Sequence, residues 1–262
     1  MNHCEFVVLL LMLLVCVPLR APGQEARVEA GRVATVAVHG RARLMQVTAS
    51  DMSDLPLVEV RAQGRSDLLA VFFSGDGGWT GIDQRVSARL AGAGVPVVGI
   101  NSLRYFWSGR SPEKTAQDLA RVLHHYLPEG RTNTRVLLIG YSTGADVLPF
   151  IVNRLPEDLR RRLASVNLIA PAHEAEFKIH LLEWVRQTEP RGAPLLPEIE
   201  LLPPLPLLCM YGQGDDSALC STLPPQYATV TLIGKGHHLG GKYEVIAERI
   251  LSFVQSGVKP AA

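Results

Sequence analysis

A serine between two glycines stands where the sequence predicts a strand followed by a helix. Gly140-Tyr141-Ser142-Thr143-Gly144 comes after the apolar run 136–139 and before the helical pattern of 145–155. The pattern G-x-S-x-G in this setting is typical of a nucleophile elbow, a sharp turn that presents a serine hydroxyl above a sheet. Side chains at the two glycines would collide with the neighbouring strand and helix. Ser142 is therefore the candidate nucleophile.

A serine hydroxyl needs a base to accept its proton and a carboxylate to orient that base. Both follow in the chain, in the order serine, acid, histidine that this turn type predicts. Asp215 and Asp216 come after a strand predicted at 207–211. The sequence does not decide which of the two is the acid. His237 is favoured as the base because it directly follows a Gly-x-Gly turn, with His238 as the alternative.

Acyl transfer also needs N–H donors directed at the developing oxyanion. Thr143 supplies one backbone N–H at the start of the helix after the serine. The loop Ser74-Gly75-Asp76-Gly77-Gly78-Trp79 follows an early predicted strand, and we expect the second donor from the backbone of Asp76 or, next, of Gly77. The loop lacks the spacing of a nucleotide phosphate site, which disfavours that interpretation.

Short apolar runs alternate with helical patterns along the rest of the chain. This alternation predicts an α/β fold, with a mostly parallel sheet covered by helices on both faces. A proline-rich insertion, 172–206, interrupts the pattern near the predicted active-site edge; we interpret it as a small lid, with a surface loop as the alternative. The predicted strands are 68–73, 95–100, 135–139, 166–169, 207–211 and 229–233, and the helices are 83–93, 113–127, 177–185 and 243–254.

The composition excludes some classes of ligand. The formal net charge of the 262 residues is +1, which leaves no excess of basic side chains to neutralise a nucleic acid. The histidines and cysteines are too scattered for a closely spaced metal-ligand motif. We therefore expect no nucleic acid partner, no metal and no cofactor.

The first residues have the character of a targeting segment. The apolar run 6–17 is followed by a small-residue stretch that ends at Gly23, which predicts a secretory signal peptide over 1–23 and a periplasmic protein. An uncleaved interfacial anchor is the alternative, because the segment before the run lacks Lys and Arg. Residues 24–56 are interpreted as an extension partly paired to a sheet edge, and 57–258 as the catalytic domain.

Removal of the signal segment leaves two cysteines, Cys209 and Cys220. In an oxidising compartment this close pair predicts a disulfide, worth roughly 3 kcal/mol of stability by loop closure. Two buried free thiols would be expected instead if the protein were cytosolic.

Four separate motifs in one order resemble the bacterial virulence protein VirJ and the related C-terminal domain of AcvB. They are residues 74–79, 101–107, 140–150 and 236–238, and the resemblance covers about 57–256. It implies an α/β-hydrolase in the periplasm and, from the AcvB branch, hydrolysis of the aminoacyl ester of lysyl-phosphatidylglycerol. The chain departs from the family at Gly234-Lys235-Gly236, where Pro-Gly-Gly is more usual, and at Leu239, where an aromatic residue is common.

Further side chains are candidates for substrate contacts. Arg104 and Trp107 follow the strand at 95–100, so they are expected at the same rim as Ser142, with the arginine on a lipid phosphate. The alternative is a surface arginine beside aromatic side chains that pack under a loop. Asp146 would receive a lysyl ammonium or make a structural hydrogen bond. The expected partners are an ester substrate, a transiently contacted membrane surface and secretion-system proteins. The rival function is a catalytically silent binding protein of the same fold, associated with virulence or type IV secretion.

Overall fold

The computed structural model describes residues 52–64, 66–127, 133–179 and 192–257. The predicted signal peptide and nearly all of the predicted extension lie outside these residues. In the described part, seven strands form one sheet in the spatial order β1-β3-β2-β4-β5-β8-β9. Their bounds are β1 Leu57–Val60, β2 Leu68–Phe73, β3 Val97–Ile100, β4 Arg135–Tyr141, β5 Leu163–Ile169, β8 Leu207–Gln213 and β9 Thr229–Lys235.

All neighbouring strands of this sheet are parallel except β1, an edge strand that pairs antiparallel with β3. The mostly parallel α/β sheet predicted from the sequence is therefore confirmed. The strand β1 was not predicted. The chain just before it already belongs to the core, since Leu55 is buried and Asp54 accepts two hydrogen bonds from the guanidinium of Arg121.

Helices cover both faces of the sheet because consecutive strand residues point to opposite sides. In β2, Leu69, Val71 and Phe73 join the core on one face of the sheet, whereas Ala70 and Phe72 join the core on the other face. These strands are apolar throughout for this reason. The helices are α1 Gly81–Gly92, α2 Ser102–Tyr105, α3 Pro112–Tyr126, α4 Thr143–Arg154, α5 Glu157–Arg160, α6 Leu195–Glu200 and α7 Tyr243–Gln255.

The start of α3 shows how local sequence sets a boundary. The side chain of Ser111 accepts a hydrogen bond from the N–H of Lys114, and Pro112 occupies the first turn, where its missing N–H costs nothing. In the part of the chain that the structure describes, none of the helices is long and apolar enough to cross a membrane.

The described parts of the insertion hold a two-stranded antiparallel ribbon, β6 Glu174–Ala175 with β7 Ala193–Pro194, and the helix α6. Leu195 and Ile199 of α6 are buried, and Glu198 accepts hydrogen bonds from the Asn153 amide on α4. The helix predicted at 177–185 begins with residues 177–179, which are irregular, and its other positions lie outside the described residues. This end of the insertion is therefore packed onto the domain.

Candidate active site

Ser142 occupies the turn between β4 and α4 in a backbone conformation that non-glycine residues rarely adopt. Its φ is 51° and its ψ is −125°. The turn is held by the N–H of Ser142, which donates to the carbonyl of Ile169 at 2.9 Å. A Cβ at Gly140 would overlap the backbone of Gly144, and one at Gly144 would overlap the carbonyl of Phe73. Both glycines are therefore required by close backbone approach, as the sequence pattern predicts.

Three side chains from different loops form one line of hydrogen bonds. The Nε2 of His237 lies 2.9 Å from the Oγ of Ser142, and its Nδ1 lies 3.0 Å from Oδ2 of Asp215. A proton on Nδ1 that is donated to Asp215 leaves Nε2 free to accept the serine proton. The His237 side chain is 36% exposed and that of Asp215 only 4%, so the acid is shielded while the base is reachable.

The structure shows which of the two candidate aspartates contacts the histidine. Asp215 faces His237, and its second carboxylate oxygen accepts a hydrogen bond of 2.6 Å from the hydroxyl of Ser217. Asp216 is exposed. Asp215 therefore orients the imidazole in this arrangement, and Ser217, which sequence reasoning missed, holds the carboxylate.

The loops that carry the acid and the base touch each other through their backbones. The N–H of Gly236 donates to the carbonyl of Gln213 at 2.9 Å, and a Cβ added at Gly212 would overlap the carbonyl of Gly236. The two strands β8 and β9 are neighbours in the sheet, so both loops leave the same edge. This contact fixes the positions of Asp215 and His237 relative to each other.

His238 has a different partner. Its Nδ1 lies 2.7 Å from the hydroxyl of Tyr141, and its side chain is exposed. The ring centroids of Tyr141 and His237 are 5.7 Å apart. His238 thus contacts the residue before the serine, whereas His237 contacts the serine itself.

The glycine-rich loop after β2 lies beside Ser142. A Cβ on Gly75 would be 3.6 Å from the Cβ of Ser142, and the N–H of Gly78 donates to the carbonyl of Gly75 in a tight turn that contains Asp76 and Gly77. Thr143 is the first residue of α4, and first-turn N–H groups lack a partner within their helix. The structure thus brings all three residues predicted for the oxyanion site next to the serine.

A cavity of about 330 Å³ opens beside Ser142. It is bounded by the glycine-rich loop, the start of α1 and the histidine turn. The described lining residues are Gly75, Asp76, Gly77, Gly78, Thr80, Gly81, Ile82, Asp83, Tyr141, Ser142, His237, His238 and Tyr243. A larger cleft of about 590 Å³ includes Arg135 and Leu163, the first residues of β4 and β5, so it lies at the opposite edge of the sheet from the serine.

The model of the bacterial virulence protein VirJ family matches residues 67–258, which is most of the chain. This chain belongs to the VirJ family. The match includes Ser142, Asp215 and His237, whereas the predicted signal segment precedes it. No curated protein sequence matches the chain.

Solved structures similar to this VirJ-family chain are α/β-hydrolases. Est1E from Butyrivibrio proteoclasticus has a TM-score of 0.56 and 15% identity, over 78% of this chain and 97% of its own. MenH from S. aureus has a TM-score of 0.54 and 12% identity, over 76% and 98%. The thioesterase domain from the curacin biosynthetic pathway has a TM-score of 0.51 and 14% identity, over 75% and 94%. At these identities the likeness establishes the α/β-hydrolase fold.

The disulfide predicted from the cysteine pair is present in this VirJ-family structure. Cys209 in β8 is bonded to Cys220, both are buried, and their Cα atoms are 5.5 Å apart. The segment between them carries Asp215. The bond therefore closes the loop that presents the acid.

The predicted substrate contacts of the VirJ-family domain have different outcomes. Arg104 and Trp107 lie in and after α2, at the same edge as the serine, and both are exposed, Trp107 by 56%. Neither is among the described residues that line the cavity. Asp146 is buried and accepts a hydrogen bond of 2.6 Å from the N–H of Ala172, and burial raises the pKa of its carboxyl well above the usual value. Of its two predicted roles, Asp146 therefore has the structural one.

Sequence reasoning about this VirJ-family site missed the buried carboxyl of Asp83, which lines the cavity. Asp83 accepts a hydrogen bond from the N–H of Thr80, in a capping box at the start of α1. The spacing Thr-x-x-Asp before an apolar helical pattern was the available signal. Among the described residues, no group of three or more His, Cys, Asp or Glu side chains is placed to hold a metal ion.

Proposed function

We propose that this VirJ-family protein is a serine esterase that cleaves a carboxylic ester through an acyl-Ser142 intermediate. The observation that carries the proposal is the unbroken line of hydrogen bonds from Ser142 through His237 to the shielded carboxylate of Asp215. It gives the serine a base and gives the base an orienting acid.

In the first step, Oγ of Ser142 attacks the ester carbonyl while Nε2 of His237 accepts its proton. The carbonyl oxygen takes the negative charge, and we assign its stabilisation to the backbone N–H groups of Thr143 and Asp76. Collapse of the tetrahedral intermediate breaks the bond to the leaving alcohol, which receives the proton from His237. Water then attacks the acyl-serine by the same route and releases the acid, which restores the serine hydroxyl.

The substrate we propose is an aminoacyl ester of a phospholipid, and specifically lysyl-phosphatidylglycerol. The motifs that resemble VirJ and the C-terminal domain of AcvB support this choice. The exposed side chains of Arg104 and Trp107 suit a transient contact with a lipid surface, because arginine binds phosphate and tryptophan partitions to the membrane interface. Arg104 is proposed for the lipid phosphate.

We propose a periplasmic location for the mature protein. The disulfide between Cys209 and Cys220 supports it, because such bonds persist in oxidising compartments. The apolar segment at 6–17 supports export by a signal peptide. Protein purified from the cell envelope is expected to lack residues 1–23, which intact-mass analysis would show.

Two assays on purified protein test the proposed function. A fluorophosphonate probe is expected to label Ser142 in the folded protein, and lysyl-phosphatidylglycerol in mixed micelles is expected to release lysine. Ser142→Ala should abolish both results. A folded protein that resists the probe would contradict the esterase and favour the silent binding protein. Labelling with hydrolysis of a p-nitrophenyl ester, but without release of lysine, would contradict the lipid substrate alone.

A further inference from the structure

The hydroxyl of Ser74 lies where β2 ends and the glycine-rich loop begins, and the residue is completely buried. Its Oγ accepts a hydrogen bond of 2.9 Å from the N–H of Ser102 in α2 and donates one of 3.0 Å to the carbonyl of Gly75. The backbone N–H of Ser74 donates to the carbonyl of Ile100, the last residue of β3. Ser74 therefore joins the sheet and the start of α2 to the loop beside Ser142.

The carbonyl of Gly75 accepts a second hydrogen bond, because the N–H of Gly78 donates to it at 3.0 Å. A carbonyl oxygen has two acceptor sites, so this oxygen is held at both. The carbonyl of Gly75 and the N–H of Asp76 belong to one planar trans peptide unit, in which they point in opposite directions. The two hydrogen bonds that fix the carbonyl therefore also fix the direction of this N–H.

The N–H of Asp76 has no hydrogen-bond partner within the residues that the structure describes. Asp76 lines the cavity, and a Cβ on its neighbour Gly75 would lie 3.6 Å from the Cβ of Ser142. This donor is therefore fixed in direction and lies beside the nucleophile. Preorganised N–H groups are the most effective at stabilising an oxyanion, because they need no reorganisation when the charge develops.

Gly77, the alternative donor, is held less firmly. Its N–H shares a peptide unit with the carbonyl of Asp76, and neither group takes part in a hydrogen bond within residues 52–64, 66–127, 133–179 and 192–257. Gly77 is also exposed, and a Cβ there would meet nothing within 4 Å. In this part of the chain, no hydrogen bond sets the direction of the Gly77 N–H.

We propose that Ser74 is a positioning residue for the oxyanion site. Its hydroxyl holds the peptide unit between Gly75 and Asp76, so that the N–H of Asp76 meets the carbonyl oxygen of the ester when that oxygen becomes charged. The inference rests on the proposed esterase function, and it selects Asp76 over Gly77 as the second donor. Because the oxyanion forms only in the transition state, loss of the Ser74 hydroxyl should lower kcat and leave KM nearly unchanged.

The test measures hydrolysis of a p-nitrophenyl ester and its inhibition by butaneboronic acid, which bonds to the serine as a tetrahedral, negatively charged adduct. Loss of one oxyanion donor lowers kcat by about a hundredfold or more. In Ser74→Ala the donor is present but no longer held, so we expect a smaller loss of roughly tenfold in kcat, with KM within about twofold of the wild type. The Ki of the boronic acid should rise by the same factor, because the adduct resembles the transition state.

The matched control is Ser87→Ala. Ser87 is as completely buried as Ser74, but it lies in α1, and its hydroxyl has no hydrogen-bond partner among the described residues. This variant therefore reports the effect of removing a buried hydroxyl alone, and its kcat and Ki should stay within about twofold of the wild-type values. Circular dichroism shows whether each variant is folded. If Ser74→Ala does not fold, Ser74→Cys replaces it, because a thiol has nearly the same shape as the hydroxyl and forms much weaker hydrogen bonds.

Unchanged kcat and Ki in the folded Ser74 variant would overturn the positioning role and leave the esterase proposal standing. A rise in KM with kcat unchanged would overturn it as well, since the lost contact would then act on the bound substrate. An equal loss in Ser87→Ala would assign the effect to packing and would also overturn it. A wild-type protein that neither hydrolyses the ester nor reacts with the fluorophosphonate probe would contradict the esterase function, and the positioning role with it.

Discussion

Ser142 and His237 are 95 positions apart in the chain, yet their side chains meet at 2.9 Å. The contact exists because β4 and β9 end at the same edge of a parallel sheet, each followed by a turn that reverses the chain. The strained φ of Ser142 and the Gly-x-Gly turn before His237 direct the two side chains toward each other. The pair is therefore a product of the whole sheet, and its chemistry can be tested residue by residue.

We expect Ser142→Ala and His237→Ala each to lower kcat/KM for a p-nitrophenyl ester by at least about a thousandfold, with no further loss in the double variant. Members of a catalytic unit fail together because each is useless without the other. Steady-state kinetics with circular dichroism as a folding control measures this. His238→Ala is the comparison. A larger loss of kcat/KM in His238→Ala than in His237→Ala would mean that His238 is the base.

The choice of acid is tested by Asp215→Asn against Asp216→Asn. Asparagine in place of Asp215 stabilises the wrong tautomer of His237, so we expect kcat to fall roughly a thousandfold or more. The exposed Asp216 should tolerate the change with less than about a twofold effect, as surface substitutions usually do. Equal losses in both variants would contradict the assignment of Asp215.

The elbow glycine Gly144 is predicted to be irreplaceable on steric grounds. Gly144→Ala places a methyl group against the carbonyl of Phe73, and we expect a loss of more than about 2 kcal/mol in the free energy of unfolding. Urea denaturation measures it. Gly92→Ala is the matched control, because a Cβ there meets nothing within 4 Å, and at this last residue of α1 we expect a change in stability of less than about 1 kcal/mol. A tolerated Gly144→Ala would contradict the close packing of the elbow.

Loss of the disulfide should destabilise the loop that carries Asp215 more than it destabilises the rest of the domain. In the double variant Cys209→Ala with Cys220→Ala we expect the stability to fall by about 2–4 kcal/mol. Amide hydrogen exchange should accelerate most between the two positions, and kcat should fall because Asp215 is less well held. Uniform acceleration over the sheet, with kcat unchanged, would show that the bond does not constrain this loop.

The buried carboxyl of Asp83 predicts a pH dependence of stability. Burial raises its pKa from 3.8 to about 7, against hydrogen bonds from backbone N–H groups that lower it. The folded protein therefore binds a proton that the unfolded chain has lost, so this residue lowers stability as the pH rises from about 4 to 7. Asp83→Asn has no such penalty. Measured by urea unfolding, the free energy of unfolding of the variant should increase relative to that of the wild type between pH 5 and pH 8. A difference in this free energy that stays constant with pH would contradict the raised pKa of Asp83.

The sequence was sufficient for the six parallel strands and for the helices α1, α3, α4 and α7, because buried parallel strands are apolar throughout and helices repeat every three to four residues. The strand β1 was not predicted because it has only four residues and lies at the sheet edge. The serine turn was predictable for a steric reason, since a strand, G-x-S-x-G and a helix admit one tight geometry.

The acid could not be chosen from the sequence because the choice depends on the turn. Gly214 has a φ of 75°, and the N–H of Asp215 donates to the carbonyl of Gly212. Asp83 was missed for a different reason, since a carboxyl becomes buried only when tertiary contacts form around it.

The backbone contact between Gly212 and Gly236 has a consequence for any attempt to re-engineer this domain. Since the acid and base loops interlock without room for a side chain, they form a single exchangeable module. A loop taken from a relative should function only when its partner loop is transplanted with it. Insertions that alter specificity are better tolerated elsewhere on the rim, and directed evolution here should proceed by paired changes in the two loops.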